Sequence, residues 1–197
     1  MAEKNNIWKR LPGPDSIRRT QTKNGISVLT YPNMHTQSVY LVGMMEGGSA
    51  HEPHEKLGLA HFTASMLTRG TETRPFSKYH TLLEEKGANL GFSCSTRHTS
   101  FSGRALAEDA ELLFDLAADG LTRPAFEEQY VERLRGQLLA SLAIREQDTS
   151  ENASMLFDRL LFPGHPLDVG PGWQLCRGTK VYHSAYSMST VFLAGCC

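Results

Sequence analysis

The chain has 197 residues, 40% of them hydrophobic and 21% charged, with a formal net charge of -1; this fits one sizeable core, and near-neutrality without a Lys/Arg block excludes a general electrostatic pull toward nucleic acid. Its four cysteines, Cys94, Cys176, Cys196 and Cys197, show neither C-x-x-C spacing nor the density of a disulfide scaffold, so they suggest no thiolate zinc site and fit a reducing compartment. Residues 1–20 lack an apolar signal core and no stretch approaches the roughly 20 apolar residues of a membrane span, so a cytoplasmic location without a membrane partner is expected.

In chain order, residues 24–33 read as turn, strand and turn, with Asn24-Gly25 before Ile26, Val28 and Leu29, and Pro32-Asn33 after them. Val39 and Leu41 start a second alternating strand that Gly47-Gly48 breaks, and residues 51–56 form a charged loop. Over 57–69 the apolar positions Leu59, Phe62 and Met66 recur at three- and four-residue steps, which predicts a helix stopped by Gly70. Pro75 and Ser77 open a second helix over 78–86, closed by Gly87 where a left-handed cap favours glycine.

Residues 88–96 and 99–106 are strand-like, and a tight polar connection at Arg97-His98 makes them a hairpin. Helical patterns follow over 108–121, 126–146 and 151–161, divided by Pro124 and by the polar run 147–150. A last apolar run, 191–194, reads as a strand. Strands first and helices after predict an α+β fold.

Four blocks in this order, TKNGISVLTYPN, GLAHFTASMLTRGT, GANLGFSCSTRHTSFSGRAL and LLFPGHPLD, resemble the pitrilysin/insulinase-type metallopeptidase family, in the branch that contains mitochondrial processing peptidase. The resemblance implies a two-layer sandwich, a mostly antiparallel sheet packed on one side by helices. It divides the chain into an extension, 1–21, and a single N-terminal-type domain, 22–197. Within that domain the pattern fades over 169–197, as a truncated or frame-shifted product would show.

Active members carry H-x-x-E-H on the first helix, two His at i and i+4 for zinc and a Glu between them as general base. Here the stretch reads His61-Phe62-Thr63-Ala64-Ser65: Ala64 replaces the base and Ser65 the second ligand. A third ligand, a Glu on a later helix, is expected by family spacing on or beside Ser141, where there is no carboxylate. Catalytic zinc needs about three protein ligands, so no cofactor is expected here, zinc belonging only to a partner subunit. The resemblance implies a non-catalytic homologue that pairs with a catalytic, zinc-bearing subunit in peptide degradation or processing. Two alternatives stand beside it: an active zinc peptidase with unconventional ligands around His61, and a peptide-binding module.

The family's edge strand pairs with extended peptides; its counterpart here places Asn89, Gly91, Phe92 and Ser93 as candidate peptide contacts, with Ser95 keeping the edge approachable. Against that, small residues on a strand also serve to pack beneath helices. His51, His54 and His165 fall in expected loops and read as scatter rather than substitute ligands. Glu84-Glu85, Glu127-Glu128 and Glu132 with Arg133 and Arg135 read as solvated helix faces. Cys94 reads as a small apolar residue with no base beside it.

Overall fold

A computed structural model describes residues 15–33, 36–53 and 56–164. They fall into two compact units, divided between Gln37 and Ser38. In the first, β1 (Arg18–Gln21) pairs antiparallel with β2 (Ser27–Thr30), Arg18 opposite Thr30 and Gln21 opposite Ser27. β2 lies where Val28 and Leu29, between two turn signals, predict a strand. β1 lies in the segment read as an extension, and its sequence, RRTQ, carries no apolar alternation to announce it.

The second unit holds β3 (Ser38–Glu46), α1 (Leu59–Met66), α2 (Phe76–Glu85), β4 (Asn89–Cys94), β5 (His98–Leu106), α3 (Ala110–Thr122), α4 (Glu128–Glu146) and α5 (Thr149–Leu161). The three strands form an antiparallel sheet in the order β3-β5-β4. Period-2 alternation splits its side chains between two faces. Val39, Leu41, Leu90, Phe92, Phe101 and Ala105 point to the face covered by α2 and α3, where Tyr79, Leu83, Leu113, Leu116 and Ala117 complete a buried cluster. A second cluster joins Leu59, Phe62 and Met66 of α1 to Val131, Leu134 and Leu138 of α4. The expected α+β layering of an antiparallel sheet with helices on one face is thus present.

Helix ends differ from the expected ones for local reasons. α1 starts two residues late because Gly58 sits at φ 96°, in the left-handed region, and its last turn tightens through Leu67 N–H donating to Ala64 O. α2 begins at Phe76 with Pro75 as its cap and ends before Gly87, which takes the expected left-handed conformation, φ 56°. α5 begins at Thr149 because the Asp148 carboxylate accepts from the Ser150 and Glu151 amides. The β4-β5 turn is centred on Thr96-Arg97 rather than Arg97-His98: His98 already belongs to β5, and Ser95 bonds to it through both its amide and its hydroxyl. The strand expected over 191–194 lies outside the described residues.

Candidate functional site

The site begins at the entry to α1. Glu52 reaches back to the helix and accepts hydrogen bonds from the Gly58 and Ala60 amides at 2.7 and 2.6 Å, satisfying two donors that a helix start otherwise leaves unpaired. Burial raises the Glu52 carboxyl above its ordinary value, against the opposing pull of those two amides. The expected charged loop at 51–56 therefore contains a helix anchor.

Within α1, Leu59, Phe62 and Met66 turn to α4, while His61 and Ser65, four residues apart, are the half-buried positions of the helix. Burial lowers the His61 imidazole below its usual value. Ala64 is buried, and Thr63 beside it is wholly enclosed. On α4 Ser141 is exposed, its hydroxyl donating to Gln137 O at 3.0 Å in its own helix. Among the described residues no three His, Cys, Asp or Glu side chains converge in a way that could hold a metal ion. The donor atoms at the positions matched to the family's zinc ligands are thus one imidazole and two hydroxyls, which do not fit the ion's usual set. His51 is exposed in a short turn, and His54 and His165 lie outside the described residues.

The loop leaving α1 is fastened by a carboxylate 48 positions ahead of Thr71. Asp119 on α3 accepts from Thr71 Oγ1 and Thr73 Oγ1, each at 2.6 Å, and pairs with Arg74 and Arg123, each at 2.8 Å. Burial alone pushes its pKa up, but these hydrogen bonds and the Arg123 charge outweigh it and hold the carboxyl below the usual range.

The last part of the site is the edge of the sheet. Ser95 N–H donates to His98 O, and Gly47 N–H to Arg97 O. Antiparallel alternation then points the main-chain groups of odd β5 residues to β3 and of even ones to β4. Leu90, Phe92 and Cys94 consequently sit in the non-hydrogen-bonded pairs with Gly103, Phe101 and Thr99, and their own peptide groups face away from β5, along an edge that no other described strand covers.

Side chains divide the candidate peptide contacts. Asn89, Gly91 and Ser93 stand exposed on the outer face, whereas Phe92 turns inward against the Phe101 ring, centroids 5.9 Å apart. Phe92 therefore offers the edge its backbone only. The Cys94 thiol also points inward; burial and then the nearby Glu52 charge raise its pKa, the reverse of an activated nucleophile. Glu84, Glu85, Glu127, Glu128 and Glu132 are on half-buried or exposed helix surfaces, with Arg135 paired to Glu132 at 2.9 Å.

Residues 27–163 match the family model of the insulinase family, peptidase family M16. The chain belongs to this family. The insulinase-family relatives include a probable mitochondrial-processing peptidase subunit beta of Arabidopsis thaliana, 29% identical over 72% of this chain and 26% of the relative. They also include an uncharacterized zinc protease of Mycobacterium tuberculosis, 29% identical over 88% of this chain and 37% of that protein. The chain thus spans only about a quarter to just over a third of these two relatives' length. Among solved structures, the peptidase M16 inactive domain from Pseudomonas fluorescens superposes with a TM-score of 0.81 at 20% identity, over 88% of this chain and 42% of that one. The periplasmic protease PqqL from Escherichia coli gives 0.80 at 21% identity, over 92% of this chain and 21% of that one. These likenesses establish the insulinase-family fold around α1 and β4.

Proposed function

We propose that this insulinase-family chain is a non-catalytic, zinc-less homologue that pairs with a zinc-bearing subunit of the same family in peptide degradation or processing. The depleted donor set carries the reading: His61 remains on α1, but Ala64, Ser65 and Ser141 supply neither a general base nor anionic or imidazole ligands. A lone imidazole holds zinc too weakly to fix its geometry, and without a base at 64 a bound water has no group to take its proton. The partner supplies metal and chemistry; this chain supplies wall and peptide contacts, with the β4 edge as the peptide-facing element. Support for pairing comes from the processing-peptidase subunits among its relatives and from its likeness to a domain described as inactive.

Two measurements test this. Metal analysis of the purified chain and of His61→Ala is expected to give equal, substoichiometric zinc and no peptide cleavage; one zinc per chain, lost together with cleavage in His61→Ala, establishes the alternative of an active peptidase. Co-expression with a relative bearing an intact H-x-x-E-H is expected to yield a stable pair on size-exclusion chromatography. Peptide binding by the chain alone, with no such pair formed, favours the free-standing binding module.

A further inference from the structure

Three glycines lie in the β3-β5-β4 sheet, Gly43, Gly91 and Gly103. Two are explained by what packs on them. A Cβ on Gly43 would run into the Phe101 ring, and one on Gly103 would meet Leu113 Cδ1 at 2.7 Å and the Asn89 carbonyl oxygen at 2.8 Å. Gly91 has no such reason: a Cβ there meets nothing within 4 Å, and its backbone is ordinary extended strand. A glycine inside a strand weakens it, because it packs nothing and orders more backbone entropy. A strand-interior glycine often marks a bulge, a bend or the close approach of a ligand or another backbone, and the unbroken register of β4 with β5 through Gly91 and Ser102 leaves the close approach as the reading that fits.

Its position defines what approaches. A peptide adding antiparallel to β4 bonds through the outward peptide groups of Leu90, Phe92 and Cys94. Gly91 then falls in a non-hydrogen-bonded pair, where facing Cα atoms come within about 4.5 Å and side chains are closest. Across the outer face the same row continues through Ser102 to Val42, so a flat side chain opposite Gly91 finds a floor of glycine and serine. On its inner face the sheet already uses this arrangement, with the Phe101 ring lying over the facing Gly43. We propose that the extended peptide taken up on the β4 edge carries an aromatic side chain opposite Gly91, and that the bare glycine selects it. The inference rests on the peptide-binding reading of β4 given above, and it adds the side-chain class that the edge prefers.

The test uses the full chain and two labelled decapeptides of strand-forming, Thr-rich sequence, identical except for Phe or Ala at one central position, with binding read by fluorescence anisotropy. Wild type is expected to bind the Phe peptide about two- to fivefold tighter, the upper part of what one cross-strand side-chain pair contributes. Gly91→Val places its side chain in open space, so its thermal midpoint is expected to be no lower than wild type. Gly91→Val is expected to lose the preference, the Phe and Ala peptides binding it equally; Gly91→Ala is the second variant, should valine perturb the strand. Equal wild-type affinities for the two peptides, or a preference that survives in both variants, overturns the proposal. If neither peptide binds and the Leu90, Phe92 and Cys94 amides stay unprotected from exchange, the edge reading itself falls, and the Gly91 inference with it.

Discussion

Asp119 shows how much one buried side chain decides. It is 1% exposed and ties Thr71, Thr73, Arg74 and Arg123 to α3. Asp119→Ala leaves the part-buried Arg74 guanidinium and two hydroxyls without their acceptor, and is expected to lower stability by about 3 kcal/mol in urea denaturation at neutral pH. A loss below about 0.5 kcal/mol, the size of an ordinary surface change, contradicts that account. The folded-state pKa of Asp119 is depressed, so its contribution is fully present above the unfolded carboxylate value of about 3.9 and is lost as pH falls through the lower folded value. The difference between wild type and Asp119→Ala should therefore shrink in acid. The donor positions permit a gain-of-function test: Ala64→Glu, Ser65→His and Ser141→Glu together are expected to raise bound zinc toward one per chain, measured by metal analysis after dialysis. Their failure in a folded triple variant would mean that α1 and α4 do not bring these positions together.

Residue by residue, positions 64, 65 and 141 stood out through the resemblance to the family's H-x-x-E-H motif and its later Glu, and helical spacing adds only that His61 and Ser65 share one side of α1. Glu52 and Asp119 were not. Each acts on residues it meets only in the folded chain: Asp119 bonds Thr71 across 48 positions, and Glu52 sits in what reads as a plain charged loop. No local pattern encodes a partner at that distance.

Among the elements, β4 makes a prediction independent of any substitution. In the free chain the amides of Gly91 and Ser93 face β5, whereas those of Leu90, Phe92 and Cys94 face the open edge. Hydrogen exchange should alternate along the strand, slow at the odd positions and fast at the even ones, and a bound peptide should slow the even set. Uniform protection of β4 in the free chain would show that another segment already covers it. Strands and helices were legible wherever apolar residues kept a period: β3, β5 and the cores of α1 to α5 lie where the sequence places them. β1 was missed because Arg18–Gln21 and its partner β2 are exposed on both faces, so burial imposed no alternation. The hairpin tip shifted by one residue because the Ser95 hydroxyl, not backbone propensity, sets where the turn closes.

At the scale of the molecule, α5 has no buried residue among the described ones. Leu156, Phe157, Leu160 and Leu161 are all exposed, at four-residue steps that join them in one stripe. Such a patch favours association, and the isolated chain is expected to self-associate with rising concentration in sedimentation velocity. Phe157→Glu combined with Leu160→Lys should suppress that association while leaving circular dichroism unchanged. A wild-type chain that stays monomeric at high concentration speaks against it. No helix of the described residues is long and apolar enough to cross a membrane, so this stripe is not read as a span.

The two carboxylates that hold α1 respond to acid in opposite senses. Glu52, at the start of the helix, has a raised pKa, so it takes up its proton first, and that uptake favours the folded chain because a charge no longer has to be kept from water. Asp119, beyond the far end, takes up its proton last, and that uptake opposes folding. Between the two events one tether of the helix is neutral while the other is still ionic, so mild acidity relieves one end before stronger acidity unties the other.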